Sequence, residues 1–267
     1  MTAMLIAQIS DMHLKPPGEL LYGRIDTAGF LERAVAHLGA LDPKPDLVLA
    51  TGDLVDGGKP EEYAQLKQIL QPLAMPVYLI PGNHDAREAL REAFVEASYL
   101  PSSGFLHYTI EGWPLRLIAL DTLLAGKGWG ELCEERLDWL EARLGESRRP
   151  TVLFMHHPPF DCGISAFDGF KLKVGGERLA ALVERHGNVE RVVCGHVHRP
   201  IQVRWAGTMA SIAPSTAHQA TLDLHDKAPL SMMMEPPGVA LHLWRPGTGL
   251  ITHISYIGTY EGPRPFR

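Results

Sequence analysis

Short apolar runs that break off at polar residues punctuate this chain. Residues 4–9 (MLIAQI) stop at Ser10-Asp11, 46–50 (DLVLA) run into Thr51-Gly52-Asp53, and 76–80 (PVYLI) close on Pro81-Gly82. Further along, 151–155 (TVLFM) end at His156 and 189–194 (VERVVC) at Gly195-His196. Runs this short, bounded by turn residues, predict strands buried on both faces. Between them the apolar spacing lengthens to the helical period. Asp26 or Thr27 caps a helix with Phe30, Leu31, Ala34, Val35, Leu38 and Leu41 on one face. Pro60 suits the first turn of a helix carrying Tyr63, Leu66, Ile69 and Leu70. Helices are also predicted around 86–96 and over 134–144 and 177–186, and a strand pair over 104–110 and 115–120. After residue 200 the pattern turns β-rich, at 201–205, 208–213, 238–244 and 250–257. Alternating strands and helices predict a largely parallel sheet with helices outside, and the later meander predicts antiparallel strands that could form a second packed sheet.

Composition narrows the class. The 267 residues, 45% apolar and 21% charged, are enough for one α/β domain with a sizeable core, so residues 1–267 are read as a single domain. A formal net charge of -6 lacks the basic footprint of a protein that grips a nucleic acid duplex, and it favours a small ligand. Cys133, Cys162 and Cys194 are odd in number and widely spaced, without a CxxC, which points to a reduced, cytoplasmic compartment. The N-terminus lacks the basic region of a signal peptide, and no stretch reaches the ~18 apolar residues of a membrane helix. No membrane partner is expected. Three long loops, 14–25, 157–175 and 214–236, are candidates for a binding site.

The 13 histidines matter by position. Five motifs follow directly on apolar runs: Asp11-Met12-His13, Gly52-Asp53-Leu54-Val55-Asp56, Gly82-Asn83-His84-Asp85, Met155-His156-His157-Pro158-Pro159, and Gly195-His196-Val197-His198. Singly, each could be turn chemistry. Jointly, they place imidazoles, carboxylates and one amide at strand ends that share an edge of a parallel sheet. Imidazole with carboxylate suits Fe, Mn, Zn or Co better than Mg or Ca. Two such ions, ~3.5–4 Å apart, supply hydroxide near neutral pH and clamp the attacking and leaving oxygens of a displacement. Two divalent ions offset by two aspartates and a hydroxide leave about one positive charge, which suits a monoanionic diester.

This set resembles the calcineurin-like metallophosphoesterase superfamily, with its D-x-H, GD-x-x-D, GNH[DE], H and GH-x-H pattern. Within it, IAQISDMHL, GDLVD, PGNHD, MHHPP, GHVH and Pro214-Ser215-Thr216-Ala217-His218-Gln219 are similar to the bacterial class III cyclic-nucleotide phosphodiesterase and glycerophosphodiesterase group, over residues 4 to about 245. The resemblance implies an α/β fold, a four-layer αββα sandwich with a small β-rich C-terminal cap. It implies that Asp11, His13 and His198 hold one ion, that Asn83, His156 and His196 hold the other, and that Asp53 bridges. His157 is expected to turn into the following loop. The resemblance gives His84 and His218 contacts to substrate phosphate, and gives His84 the protonation of the leaving group. Asp56 and Asp85 are expected to orient ligands, and Tyr22 and Arg24 to act as lid residues. Residues 219–267, with Met232-Met233-Met234, are expected to supply the final strands and a cap used in homo-oligomerisation; burial in the core is the competing reading of the Met run. The expected reaction is hydrolysis of 3′,5′-cyclic nucleotides or glycerophosphodiesters. A phosphomonoesterase or nuclease with the same dinuclear site, and a metal-binding scaffold without turnover, stay open as alternatives.

Overall fold

A computed structural model describes residues 2–266. The apolar runs form strands as expected, but they divide between two sheets. Strands Gly249–Tyr256, Gly238–Arg245, Met4–Ile9, Leu47–Thr51 and Val77–Ile80 lie side by side in that order in a five-stranded sheet. Strands Ile201–Trp205, Thr208–Ile212, Val189–Cys194, Thr151–Met155, Arg116–Leu120 and Tyr108–Ile110 form a six-stranded one. The alternating strands are shared between two sheets, as the αββα resemblance implies, and are not gathered in one largely parallel sheet. The first is parallel from Met4–Ile9 to its Val77–Ile80 edge and antiparallel on the other side; the second has a parallel centre and an antiparallel strand at each edge. The C-terminal hairpin 238–256 does not build a sheet of its own; it joins the first sheet beside Met4–Ile9.

Period-2 alternation then sorts the side chains into three apolar layers. Ala7, Ile9, Val48 and Ala50 face Leu31, Leu38, Tyr63, Leu66 and Leu90 of the helices Thr27–Ala40, Pro60–Leu70 and Arg87–Ala93. Their neighbours Ile6, Leu47 and Leu49 turn the other way and meet Leu117, Ala119, Val152, Phe154 and Val193 of the second sheet. On that sheet's far side Ile118, Leu120, Leu153, Met155 and Val192 pack on Leu137, Leu140, Leu179 and Leu182 of helices Glu134–Gly145 and Gly176–His186. Three apolar layers separate four structural ones, so the fold is a four-layer αββα sandwich. Asp26 caps the first helix, its carboxylate accepting from the Gly29 N–H at 2.9 Å. A two-stranded hairpin of Gln219–Ala220 and Met232–Met233 stands outside the layers. Arg199 anchors it to the GHVH loop through the Ala220 carbonyl and the Glu235 carboxylate, 2.5 and 2.6 Å away.

One buried polar chain pins the two sheets together. The Gln8 amide donates to Thr51 Oγ1 at 2.9 Å and, across to the second sheet, to the Cys194 carbonyl at 2.8 Å. Gln8 Oε1 lies 3.1 Å from His242 Nε2. Burial pushes the His242 imidazole down to about 3. The ring is neutral in the fold, while an unfolded histidine binds a proton below about pH 6.5. Its contribution to stability is complete above about pH 6.5 and is lost as pH falls toward 3, at about 1.4 kcal/mol per pH unit. Wild-type protein will therefore lose about 2 kcal/mol more between pH 7 and pH 5 than His242→Gln in urea unfolding; equal losses contradict this.

Candidate metal centre

The carboxyl ends of the parallel strands in both sheets open at one end of the sandwich. Asp11 and His13 follow the first strand, Asp53 the second and Asn83 the third. His156 is the first residue past Thr151–Met155, and His196 and His198 follow Val189–Cys194. Chain turns bring them inward at a conformational cost. Asp11, His13, Asp53, His196 and His198 all adopt positive φ, between 44° and 75°. Left-handed backbone costs an L residue about 1 kcal/mol or more, and it persists where the surroundings over-determine it.

The glycines of the motifs make room for the side chains beside them. A methyl group on Gly82 would overlap Asp53 Oδ1 and lie 2.8 Å from His156 Nε2, and one on Gly195 would overlap Ser10 Oγ and lie 2.9 Å from Asp11 Oδ2. No larger residue fits at either position without moving an Asp53 or Asp11 carboxylate.

The donor atoms fall into two groups. His13 Nε2 and His198 Nε2 are 3.1 Å apart, His198 Nε2 is 3.4 Å from Asp11 Oδ1, and His13 Nε2 is 3.5 Å from Asp53 Oδ2. In the second group His156 Nε2 lies 3.2 Å from Asn83 Oδ1, 3.3 Å from His196 Nδ1 and 3.4 Å from the same Asp53 Oδ2. Metal–nitrogen bonds of ~2.1 Å would set tetrahedral ligand edges of about 3.4 Å. These spacings match such edges, and one carboxylate oxygen belongs to both groups.

Neighbouring groups select the imidazole nitrogen that faces inward. His156 Nδ1 donates to the Thr51 carbonyl at 2.8 Å and His198 Nδ1 to the His218 carbonyl at 3.1 Å, so both keep a bare Nε2 at the centre. His13 Nδ1 is held by Asp56 Oδ1 at 3.3 Å, with Lys15 on the other Asp56 oxygen at 3.0 Å. Burial disfavours the Asp56 anion, but these partners hold its carboxyl down to about 2. The Asp11 carboxylate accepts the His196 backbone N–H at 2.9 Å, and the Asp53 carboxylate accepts that of His84 at 2.9 Å.

The charge preferences of the buried set conflict. Burial disfavours a charged His156, yet Asp53 beside it draws the ring up to about 9. Burial pushes His196 and His198 down to about 3 and raises the Asp11 carboxyl. Carboxylates and neutral imidazoles packed this tightly are the donor set of a cation site, since a divalent ion offsets both the negative charge and the opposed lone pairs.

A cavity of about 260 Å³ opens over this floor, with His84, Tyr22 and His218 on its walls. His84 Nδ1 is tied to the Asp56 carbonyl at 2.9 Å and its ring stands edge-on to His13, centroids 4.7 Å apart, so Nε2 is left for the cavity. The His218 ring is 4.6 Å from that of His198, and burial pushes it down to about 2.

A family model described as calcineurin-like phosphoesterase matches residues 4–200. The chain belongs to that family. Phosphoesterases of this family work through a dinuclear metal site, and the His/Asp clusters of this one fit it. The phosphoesterase is 43% identical over 264 residues to the probable glycerophosphodiester phosphodiesterase GpdQ of Arcobacter nitrofigilis, covering 98% of this chain and 97% of that one. It is 32% identical over 219 residues to the 3′,5′-cyclic adenosine monophosphate phosphodiesterase CpdA of Escherichia coli K12, covering 80% of this chain and 76% of that one. A dimetal phosphatase of Danio rerio is similar in structure, with a TM-score of 0.65 at 14% identity over 96% of this chain and 99% of that one, which speaks for the fold alone.

Several expectations change in the phosphoesterase structure. Asp85 orients no ligand side chain. Its carboxylate accepts from the Leu54 and Gly82 backbone N–H groups at 3.1 and 2.8 Å and from Tyr63 Oη at 2.9 Å, so it staples the two loops that carry Asp53 and Asn83. Burial raises it to about 6. His157 does not turn into the loop; it is fully buried against Gly130, with Nδ1 2.8 Å from Thr122 Oγ1. Tyr22 lines the cavity, whereas Arg24 lines neighbouring hollows with Met232. Met233 and Met234 are 38% and 55% exposed, so the Met run is not core. Sequence reasoning missed the apolar wall of Gly128, Phe167, Phe170 and Leu230. The one signal for the two rings was their place in the long 157–175 loop. It also missed Asp121, a buried carboxylate at the end of Arg116–Leu120 that pairs with Arg87 at 2.6 and 2.9 Å and so braces the helix after Asn83.

Proposed function

We propose that this phosphoesterase hydrolyses small phosphodiesters, with 3′,5′-cyclic nucleotides and glycerophosphodiesters as the candidate substrates. In this reading Asp11, His13 and His198 hold one ion, Asn83, His156 and His196 the other, and Asp53 joins them. Fe, Mn, Zn and Co are the candidate metals, since imidazole, amide and carboxylate donors occur together. The observation that carries the reading is the single Asp53 oxygen within 3.4–3.5 Å of a histidine of each group, at the floor of a cavity with His84 on its wall. When bound, such an ion pair supplies an acidified water and Lewis acidity toward phosphate oxygens.

The chain's own residues do the rest. Asp53 and Asp11 limit the net positive charge at the floor, which favours a singly charged diester over a doubly charged monoester. His84 Nε2 can hold a proton for the departing alkoxide, with the Asp56 carbonyl fixing Nδ1 and the Asp56 carboxylate 3.5 Å away to balance the cationic ring. His218, which lines the cavity beside His198, can contact a phosphate oxygen from the side of the first group. No helix among the described residues is long and apolar enough to cross a membrane. A cytoplasmic home and a homo-oligomer joined through the exposed cap within 219–267 complete the reading of a single-domain enzyme.

Metal-loaded protein will turn over bis(p-nitrophenyl) phosphate at least about tenfold faster than p-nitrophenyl phosphate, and will act on cAMP or glycerophosphocholine in preference to single-stranded DNA. A clear preference for the monoester or for DNA contradicts the diesterase reading.

A further inference from the structure

The metal-ligating side of the cavity accounts for the phosphate; the opposite wall has no part in that chemistry. Phe167 stands edge-on to His196, centroids 6.4 Å apart, and packs against the apolar layer of the second sheet. The Phe170 backbone N–H donates to the Phe167 carbonyl at 2.8 Å, so both rings belong to one turn. Phe170 is 39% exposed and lies over Gly128, where an added methyl group would come within 3.2 Å of Phe170 Cδ1. None of the described residues lining the cavity is a lysine or arginine.

Resting on the diesterase reading above, we propose that Phe170, seated on Gly128 and backed by Phe167, determines specificity by forming an uncharged aromatic subsite for the ester group that stays on phosphorus. The placement follows from the two ends of the cleft. His84 sits with His13 and Asp56 at one end, so the group that leaves and takes up a proton lies there. Phe167 sits with His196 at the other. A planar or apolar ester group gains ring contact at that end. An ester group carrying a second anion loses its hydration and finds no cationic side chain to replace it. The small residue at 128 keeps the space beside Phe170 open.

Bis(p-nitrophenyl) phosphate and methyl p-nitrophenyl phosphate share a leaving group and a charge and differ in the retained group, which makes them the probe. With manganese-loaded protein, Phe170→Ala and Gly128→Val will each lower kcat/KM for the aryl diester about fivefold more than for the methyl diester, mainly through KM, and Phe170→Trp will keep the aryl preference. Variants that lose both substrates by the same factor, or a wild-type KM that does not distinguish them, overturn the subsite. Wild-type protein that turns over neither diester overturns the diesterase reading and the subsite with it. Turnover without discrimination overturns the subsite alone.

Discussion

Asp53→Ala will lose both ions and at least about 10³-fold in kcat/KM on any diester. The magnitude follows from what a bridging ligand does. Removing a group that merely orients a metal ligand costs about 10–100-fold in affinity or activity. Asp53 Oδ2 faces both donor groups, at 3.5 Å from His13 and 3.4 Å from His156, so its loss compounds over two sites. Asp53 Oδ1 also accepts the His84 backbone N–H at 2.9 Å, so alanine frees the GNHD loop as well. Asp53→Asn keeps the shape and one acceptor while removing the charge. It separates the two effects: it will fold like wild type by circular dichroism and still bind fewer than two ions per chain by elemental analysis. Full activity in either variant contradicts a bridging role.

The second large effect belongs to His84, and it will depend on the leaving group. With an alkoxide leaving group, as in glycerophosphocholine, His84→Ala will lower kcat by about 10²–10³, the usual range for a positioned general acid. With p-nitrophenolate, which departs without a proton, the loss will be about tenfold or less. Geometry underlies the difference. The ring is half-buried, fixed through Nδ1, and presents Nε2 to the cavity, while its nearest metal-group neighbour is His13. A purely structural His84 would depress both substrates equally, and so would a metal-ligating one. Paired steady-state assays on the two substrates decide the matter.

The parts of the centre most legible in the sequence were those set by strand ends. An apolar run followed by Asp-x-His or Gly-His-x-His marks a point where a buried strand delivers polar side chains to an edge, and the donors at Asp11, His13, Asp53, Asn83, His156, His196 and His198 converge there. The two-sheet sandwich followed from the family resemblance, but which strand joins which sheet was not legible in the runs themselves. Runs such as LVLA and VLFM are apolar on every residue because both faces are buried, and such a run carries no mark of which sheet it joins. Contacts across long sequence separations were equally hidden. Asp85 reaches Tyr63 and Leu54, Asp121 reaches Arg87, and Gln8 reaches Cys194, each through tertiary packing that no local spacing encodes. Phe167 and Phe170 carry no local signal beyond their place in a long loop; the fold sets both on the cavity wall, Phe167 beside His196. His157 shows the limit of proximity in sequence: it adjoins a donor residue, yet its hydrogen bond goes to Thr122.

The most direct test of the dinuclear centre is an anomalous-scattering map from crystals soaked in manganese. Two peaks about 3.5–4 Å apart are expected. One should lie in bonding reach of Asp11, His13 and His198, the other of Asn83, His156 and His196, with the Asp53 carboxylate between them. A single peak, or a second peak ligated by His157 or His84 in place of His156, would contradict the account.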